Sequence, residues 1–556
     1  MSRSLSIALL ASVSLAACVE QPSGKDHEMM RHDMMAAKQM PLFDNLGTHR
    51  HKISTQSKEA QAFFDQGYRL LFNFNHAAAI ASFEEALKRD PGCAMCWWGI
   101  SLAHGPNINM PMLPDAQAPA LHALEMAQSL SAHASPVERE YIDALSKRYS
   151  SDPKVERPML DKAFAEAVGK LARRHPDDLD AQVLYAEALM DTSPWDYWQA
   201  DHRTPKAGFE RLVPGLEGVM KRSPRHPGAI HLYIHAVEAS TAPGRAEKYA
   251  DVLGTLLPGA GHLVHMPTHI YNRIGRYDDG VRWNQKAAKA DEAYFDATQD
   301  RGMYAGMYYV HNLHFVWTAS TTDGRSALAR EYAHKVVESL DPGMVQSFPS
   351  AQIFVPTELY AALRFGDWDS VLRAPAPNAS LHFATSIWHY ARSRAFAAKG
   401  DTAKAVAESA LIAASFSEDD AKNFQNFGVP GEDLVRIAGH VARSEIARAK
   451  GVKDDAVNEL RAAVKAQDNL PYTEPPWWDF PTRQFLGDAL MQAGRYKEAV
   501  ETYRQDLKQW PKNGWSLYGL ARALEHSGHA REAKTVWVQF KKSWTRADVT
   551  LSSSRL

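Results

Sequence analysis

Several features that identify common protein classes are missing from this sequence. No Lys/Arg-rich run stands out and the formal net charge is −2, which argues against nucleic acid as a partner. There is no nucleophile elbow, phosphate-cradling glycine loop or dinucleotide fingerprint, which argues against serine hydrolase, nucleotidase and dehydrogenase chemistry. No segment has the alternation of apolar and polar residues that a half-buried β-strand requires. We therefore predict an all-α protein without a nucleotide cofactor.

Long apolar runs are also absent. No segment beyond the N-terminus has the roughly 18 uninterrupted apolar residues that a spanning helix needs, so we expect no transmembrane helix there. The N-terminus itself has a short positive start at Arg3, a mostly apolar stretch at Leu5–Leu15 and then Ala16-Ala17-Cys18. This apolar stretch is too short to cross a bilayer and is typical of an export signal.

The N-terminal segment 1–17 resembles the signal peptide of bacterial lipoproteins. The resemblance implies cleavage before Cys18 and acylation of that cysteine, and each buried methylene of an acyl chain adds about 0.8 kcal/mol of anchoring. The residue after the cysteine is Val19 and not Asp. In lipoproteins of this kind, a residue other than Asp at that position favours the outer membrane. We therefore expect an exported protein, lipid-anchored in the outer membrane and facing the periplasm. The alternative is plain secretion with a free Cys18.

The segment that follows, residues 18–56, is polar, rich in Met and His, and without useful helical periodicity. We predict a flexible tether between the lipid and the fold. Thioether and imidazole groups together suit copper, especially Cu(I). The candidate copper ligands are His27, Met29, Met30, His32, Met34 and Met35. Since short Met/His runs also arise by chance in disordered tails, a tether without copper remains the alternative.

Cysteine is scarce, with three residues in the chain. Cys93 and Cys96 form a Cys-x-x-Cys pair at a predicted helix start. In an exported protein a disulfide is the preferred interpretation, and a redox-active pair or a soft-metal site is the alternative. A c-type haem would need His directly after the second cysteine, but that residue is Trp97. No haem is therefore expected.

From about residue 57 the apolar periodicity is helical almost to the end of the sequence. Similar segments recur at Phe64–Leu87, Gly275–Asp279, Gly494–Tyr503 and Gly528–Ala533. They resemble tetratricopeptide repeats, which are helix pairs of about 34 residues. The resemblance implies a right-handed α-solenoid of stacked helix pairs, in which the first helix of each pair lines a concave groove.

We divide the repeats into an N-terminal part at 57–190, a central part with a histidine-lined groove at 191–342, and a C-terminal part at 343–556. The segment 193–205 interrupts the pattern with several aromatic residues. It is either a lid over the groove or a packed surface insertion.

Histidines cluster in three stretches of the central part. With Gly275 and Gly324 as turns after first helices, most of them fall on the groove side, since residues three and four apart share a helix face. Imidazoles from helices about 8–10 Å apart can meet around one ion, and neutral imidazole is a common ligand of zinc and copper. We predict a Cu or Zn site; hydrogen bonding to a groove ligand and structural packing are the alternatives. The candidate ligands are His231, His235, His262, His265, His269, His311, His314 and Glu238.

Two residues of this region have a further predicted role. Glu238 either binds the ion or orients a histidine. Pro267 removes a backbone donor inside the periodic stretch, so the helix must kink or begin there.

Two motifs, His231–His235 and His262–His269, resemble those of a group of exported bacterial tetratricopeptide proteins. Cys93–Ile100 and Gly105–Asn109 also fit that group. The resemblance covers most of the mature chain and implies the fold and the site, without assigning an activity.

The sequence is compatible with three functions. The preferred one is a non-catalytic scaffold that binds a protein, a peptide or a small ligand in the groove, with metal as structural element or cargo. The second is a metalloenzyme that performs hydrolysis or oxidation at the histidine cluster. The third is periplasmic copper handling by tether, cysteine pair and groove together. The sequence indicates no catalytic residue.

Overall fold

The computed structural model describes residues 39–478 and 480–555. In these residues helix follows helix and no β-strand is formed, which confirms an all-α solenoid of stacked helix pairs. The helices are α1 (Lys58–Phe72), α2 (His76–Arg89), α3 (Ala94–Ala103), α4 (Gln117–Ser129), α5 (Pro136–Leu145), α6 (Arg157–Arg174), α7 (Leu179–Asp191), α8 (Leu212–Arg222), α9 (Pro227–Glu238), α10 (Glu247–Leu253), α11 (Gly261–His265), α12 (Pro267–Ile274), α13 (Tyr277–Thr298), α14 (Val310–Thr322), α15 (Ser326–Glu338), α16 (Pro342–Ser347), α17 (Thr357–Arg364), α18 (Trp368–Arg373), α19 (His382–Ala398), α20 (Thr402–Ala414), α21 (Glu418–Asn426), α22 (Gly431–Ala449), α23 (Lys453–Asp468), α24 (Thr482–Gln492), α25 (Tyr496–Gln509), α26 (Gly514–His526) and α27 (Ala530–Ser543).

Glycines set the close packing of the first three helices. Phe83 of α2 is fully buried between Gly67 of α1 and Gly99 of α3. A Cβ atom on Gly67 would lie 2.6 Å from the Phe83 ring, and one on Gly99 would lie 2.7 Å from it. Because no larger residue fits, these two positions let three successive helices cross around one aromatic ring.

The same arrangement recurs near the C-terminus. Tyr503 of α25 lies between Gly487 of α24 and Gly519 of α26, and a Cβ atom on either glycine would lie 2.3 Å from the tyrosine ring. The two ends of the array are therefore built by one packing rule, with an aromatic residue on the middle helix.

The C-terminal repeats return to the central helices. Trp515 Nε1 of α26 donates a hydrogen bond of 3.1 Å to the carbonyl of Thr321, at the end of α14. Tyr277 of α13 donates its hydroxyl to the carbonyl of Pro511 at 3.0 Å. The central helices are therefore covered by later repeats as well as by their neighbours in the array.

The segment before α1 differs from its prediction. Residues 40–56 were expected to belong to a flexible tether, but Met40, Leu46 and Ile53 are 3–7 % exposed and belong to the main core. Their apolar side chains are too few and too unevenly spaced to give a periodic signal, although each finds a place on the helices. The predicted signal at 1–17, Cys18, and the candidate copper ligands from His27 to Met35 lie outside the described residues.

Two further features bear on the sequence-based expectations. Cys93 and Cys96 are joined by a disulfide at the start of α3, and both are buried. Among the described residues, no helix combines the length and apolar character that crossing a bilayer would require.

Candidate metal centre

A first set of convergent imidazoles comes from α9 and α11. His231 and His235 share one face of α9, since they are four residues apart, and His262 lies near the start of α11. Nε2 of His262 is 3.1 Å from Nε2 of His231. One ligand atom from each of the three residues lies within 4.8 Å of the other two. We call these residues the first histidine set.

A second set lies beside the first. His265 ends α11, His269 belongs to α12, and His311 is in the first turn of α14. Nε2 of His265 is 2.8 Å from Nε2 of His269, and the three ligand atoms again lie within 4.8 Å of one another. We call these residues the second histidine set.

The helix break between α11 and α12 distributes the histidines of one motif over both sets. Pro267 begins α12, where its missing N–H would have no intrahelical partner, and Gly275 ends that helix with φ 75°. His262 joins α9 in the first set, whereas His265 and His269 form the second set with α14. The expectation that Pro267 begins a helix is thus confirmed, and His262 and His265 lie in a short helix of their own.

Three imidazoles have their Nδ1 atom engaged by an acceptor. Nδ1 of His235 and of His269 lie 2.7 and 2.6 Å from the two oxygens of Glu238. Nδ1 of His265 lies 2.6 Å from Oδ1 of Asn284, whose amide nitrogen donates to the carbonyl of Gly280. Since a carboxylate and an amide oxygen only accept, each of these imidazoles carries its proton on Nδ1.

It follows that Nε2 of His235, His265 and His269 carry lone pairs. The lone pairs of His265 and His269 face each other across 2.8 Å, and Nε2 of His235 is buried with no hydrogen-bond partner in the described chain. Facing lone pairs repel, so a positive species fits between them: an extra proton or a metal ion. A proton shared by His265 and His269 would leave His235 unsatisfied, whereas metal binding uses lone pairs of this kind.

Burial acts on the ionisable groups of the cluster in two ways. Burial lowers the pKa of His231 and of His265 well below the ordinary value, and neighbouring histidines lower it further. Burial by itself raises the pKa of the Glu238 carboxyl, but the charge of His269 and hydrogen bonds from His235 and His269 outweigh it and hold that pKa at about 2. Burial thus favours the neutral form of His231 and His265, and one ionised carboxylate, Glu238, lies behind the cluster.

Aromatic rings enclose the first histidine set. The Phe74 ring is 4.6 Å from that of His231, the Tyr308 ring is 4.6 Å from that of His262, and the Trp195 ring meets His235 edge-on at 5.0 Å. Phe74 and Trp195 have φ values of 53° and 66°, which side-chain-bearing residues rarely adopt. Strained backbone of this kind concentrates at functional sites. The predicted aromatic loop at 193–205 therefore contacts the cluster through Trp195.

The second histidine set is the more open one. His265 and His269 pack against the Phe315 ring at 4.6 and 4.9 Å. His311 is partly exposed, whereas the other five cluster histidines are at most 2 % exposed. A π-helical turn, Ala305–Tyr309, leads directly into the helix that carries His311, and such turns are frequent at functional sites. His311 is thus the most exposed histidine of the cluster.

Two sequence-based expectations about the cluster are wrong. His314 belongs to neither set, because its ring stacks on Trp317 at 5.0 Å and meets Phe354 edge-on. The histidines were also expected to line the surface of a concave groove, but nearly all are buried, since parts of the chain far away in sequence cover them. Glu238 hydrogen-bonds His235 and His269, the arrangement that an orienting role would require.

Residues from the C-terminal part complete the cluster, and no sequence signal connects them to it. The Tyr472 hydroxyl lies 3.4 Å from Oε2 of Glu238 and 3.0 Å from Oε1 of Glu474. Arg273 donates to the Glu238 carbonyl at 3.1 Å and lies over the Tyr472 ring. Tyr472 follows α23 in a Pro- and Trp-rich stretch, which sequence reasoning could interpret only as a structural break.

A separate His/Asp group ties the segment before α1 to the array, and sequence reasoning missed it as well. The Asp180 carboxylate lies 2.7 Å from Nδ1 of His51, 3.0 Å from Nε2 of His49 and 3.1 Å from Nε2 of His226. Nδ1 of His226 accepts from the backbone N–H of Ala229, so its Nε2 carries the proton and donates to Asp180. We call these four side chains the Asp180 latch. The ligand atoms of His49, Asp180 and His226 are close enough for an ion, but hydrogen bonds alone satisfy them.

Comparison with known families supports the repeat assignment. Tetratricopeptide repeat families match residues 64–104 and residues 490–536. These are the two ends at which the sequence pattern is strongest. No curated protein matches the chain in sequence.

Solved helical-repeat structures show a remote likeness. A human IFIT1 dimer with m7Gppp-AAAA is 12% identical, with 88% of this chain and 90% of that chain covered and a TM-score of 0.34. Yeast Tom70 is 13% identical, with 89% and 93% covered and a TM-score of 0.29. The APC/C hetero-tetramer Cut9-Hcn1 is 14% identical, with 88% and 95% covered and a TM-score of 0.27. The fold assignment rests on the helix pairs themselves and not on these likenesses.

The helix pairs, the glycines at the helix crossings and the two sequence matches all indicate tetratricopeptide repeats. Tetratricopeptide arrays present extended surfaces built from stacked helices, and such surfaces commonly bind other proteins. The chain is therefore a protein that contains tetratricopeptide repeats, an architecture that supports a protein-binding role.

Proposed function

We propose that this protein is an exported, lipid-anchored tetratricopeptide scaffold whose buried histidine cluster holds a transition metal, zinc or copper. The anchor is an acylated Cys18, which would station the array at the outer membrane, facing the periplasm. The lipoprotein-like signal supports this location, and the disulfide between Cys93 and Cys96 is compatible with an oxidising compartment.

One observation carries the metal proposal. Nε2 of His265 and Nε2 of His269 lie 2.8 Å apart, while the Nδ1 atom of each is held by an acceptor. A metal-binding histidine characteristically donates a hydrogen bond from the N–H of its other ring nitrogen to a carboxylate or carbonyl oxygen. This hydrogen bond fixes the tautomer and points the unprotonated nitrogen at the ion. Glu238 and Asn284 have the positions that such orienting residues need.

The ligand set narrows the choice of ion. Neutral imidazoles suit zinc and copper, whereas calcium and magnesium prefer oxygen ligands. Cys93 and Cys96 offer no thiolate to a metal while they are bonded to each other. The Met- and His-rich segment from His27 to Met35 supports copper as cargo, and copper handling is thus one form of this proposal.

The protein partner would bind on the outer faces of the repeats. The histidine cluster is closed to a peptide, since five of its imidazoles are at most 2 % exposed. The metal would accordingly fix the central repeats in place or be carried as cargo. The partial exposure of His311 favours a second candidate, a metalloenzyme for hydrolysis or oxidation with one coordination position open to water or substrate.

Metal analysis of protein isolated without added metal tests the proposal. Wild-type protein should retain zinc or copper at one equivalent or more after gel filtration. A His235→Ala/His265→Ala variant, which removes one ligand from each histidine set, should lose it, and His314→Ala should keep it as the matched control. The proposal would be contradicted if the wild type held no more than background metal even after incubation with Zn(II) or Cu(II). It would also be contradicted if the double variant kept the metal content of the wild type.

Fractionation tests the anchor separately. Wild-type protein should sediment with the outer membrane, whereas Cys18→Ser should appear in a soluble fraction. A wild-type protein that is soluble in the periplasm would contradict the proposed lipid anchor and would not affect the metal proposal.

A further inference from the structure

The six cluster histidines do not converge on one point. Their ligand atoms fall into two sets of three, each within 4.8 Å, rather than one set of six. The ring centroids of His262 and His265 are 5.8 Å apart, and those of His235 and His269 are 5.5 Å apart. Three imidazoles leave one position open on a tetrahedral ion, so each set is sufficient as a site by itself.

Glu238 links the two sets. Its Oε1 lies 2.7 Å from Nδ1 of His235 in the first set, and its Oε2 lies 2.6 Å from Nδ1 of His269 in the second. One carboxylate therefore orients an imidazole in each set.

The charges around the cluster point to a missing anion. Among the described residues, Glu238 supplies the only carboxylate that hydrogen-bonds a cluster histidine. Two divalent ions surrounded by neutral imidazoles would leave a large positive charge in a buried place, where unbalanced charge is strongly unfavourable. An anion bound directly to one ion would reduce that charge.

The second set is the more accessible of the two for such an anion. Phe74, Trp195 and Tyr308 pack against the first set, whereas His311 of the second set is partly exposed. A ligand from solvent therefore meets the second set first.

We propose that the cluster is a two-metal centre in which the ion of the first histidine set is enclosed and the ion of the second set binds a small anion from solvent. This inference rests on the proposed metal function and adds three properties to it: the number of ions, their different accessibility and the class of ligand. Azide serves as the probe anion, because it is small and binds both zinc and copper.

Metal stoichiometry tests the number of ions. Full-length wild-type protein titrated with Cu(II) or Zn(II) should bind two equivalents. His231→Ala and His311→Ala should each retain one, and His314→Ala, one turn beyond His311 on the same helix, should retain two. Circular dichroism and thermal unfolding check that each variant is folded, and His311→Gln repeats the measurement with a bulkier side chain. A wild type that binds one equivalent, lost in both His231→Ala and His311→Ala, would overturn the two-metal centre while sustaining the proposed function; no binding at all would overturn both.

Chelator kinetics and azide test the difference between the sets. Metal loss from the wild type should have a fast and a slow phase of similar amplitude, and His311→Ala should show the slow phase alone. Azide should shift the Cu(II) absorption of the wild type and of His231→Ala, with no shift in His311→Ala. A shift in His311→Ala that is missing from His231→Ala would assign the open position to the first set and overturn this part of the inference.

Discussion

Asn73 accepts a hydrogen bond of 3.1 Å from the backbone N–H of Leu263, which lies between the two histidine sets in sequence. The Asn73 amide also donates to the Tyr304 hydroxyl at 3.1 Å, and that hydroxyl accepts from the backbone N–H of His262. A residue that ends the first repeat helix thus holds the helix that supplies both sets. The cluster depends on contacts across the array as well as on its own helices.

Replacing Asn73 should destabilise the fold. Asn73→Ala leaves the buried N–H of Leu263 without its acceptor, and the unfolding free energy should fall by about 1–3 kcal/mol. Urea unfolding of metal-free protein, followed by circular dichroism, measures this change. Asn469→Ala, at the exposed end of α23, is the control and should change stability by less than about 0.5 kcal/mol. Equal stability of the two variants would contradict a role for Asn73 in holding α11.

Replacing Glu238 should weaken metal binding without removing a ligand. Glu238→Gln keeps the shape of the side chain, but an amide offers one acceptor oxygen where the carboxylate offers two, so either His235 or His269 loses its acceptor. Loss of an orienting residue typically lowers metal affinity about 10–100-fold. Competition with a chromophoric chelator gives the affinity. Glu247→Gln, a half-exposed carboxyl that pairs with Arg276, should leave the affinity unchanged, and an unchanged affinity in Glu238→Gln as well would exclude the orienting role.

The Asp180 latch should make stability depend on pH. Burial alone raises the pKa of Asp180, but hydrogen bonds from His226, His49 and His51 outweigh it and hold that pKa well below 3.8. Burial lowers the pKa of His51, yet the hydrogen bond to Asp180 and its charge raise the pKa above 6.5 overall. The Asp180 contribution is present above its unfolded-state pKa and is lost as the pH falls through the folded one. The His51 contribution is complete below its unfolded-state pKa and is lost as the pH rises through the folded one.

The latch should therefore stabilise the fold most between about pH 4 and pH 6.5. Asp180→Asn should lower the unfolding free energy there by about 1.5–3 kcal/mol, the range for hydrogen bonds to a charged group, and by less at both extremes. Denaturant unfolding of wild type and variant from pH 3 to pH 9 measures the difference. Asp177→Asn, whose side chain is 97% exposed, is the control, and a difference independent of pH would show that Asp180 acts only by packing.

The crossing glycines should tolerate no side chain. Gly67→Ala places a Cβ atom 2.6 Å from the Phe83 ring, and overpacking of this kind lowers stability by about 1–3 kcal/mol. Gly215→Ala in α8 has open space around the new methyl group, and it should be neutral or stabilising by up to about 1 kcal/mol because alanine favours the helix. If the helix crossing at Phe83 requires glycine, thermal unfolding should give a lower melting temperature for Gly67→Ala and an unchanged or higher one for Gly215→Ala.

The repeat architecture and the ligand types were open to prediction from sequence. Helical periodicity is local, so it identified the helix pairs, and the turn glycines Gly275 and Gly324 have the positive φ angles of 75° that the register required. The register count included the six histidines of the two sets, because residues three and four apart share a helix face whatever lies around them.

Contacts between distant segments could not be predicted in this way. Nothing in the local pattern distinguishes His314 from His311, and only the packing of α14 turns one to Trp317 and the other to His265. Asn284 and Tyr472 gave no signal either, since a single polar residue on a helix or in a loop acquires a role only when its neighbour in space is known.

The amino-acid sequence by itself determined that this protein is a helical array with histidines grouped on three of its segments, because backbone periodicity and side-chain spacing follow from neighbours along the chain. Tertiary structure alone decided that the array closes over those histidines, that they divide into two sets, and that Glu238 stands between the sets. Closure depends on side chains hundreds of residues apart meeting in a close-packed interior, and close packing selects one arrangement from many that the same local pattern allows.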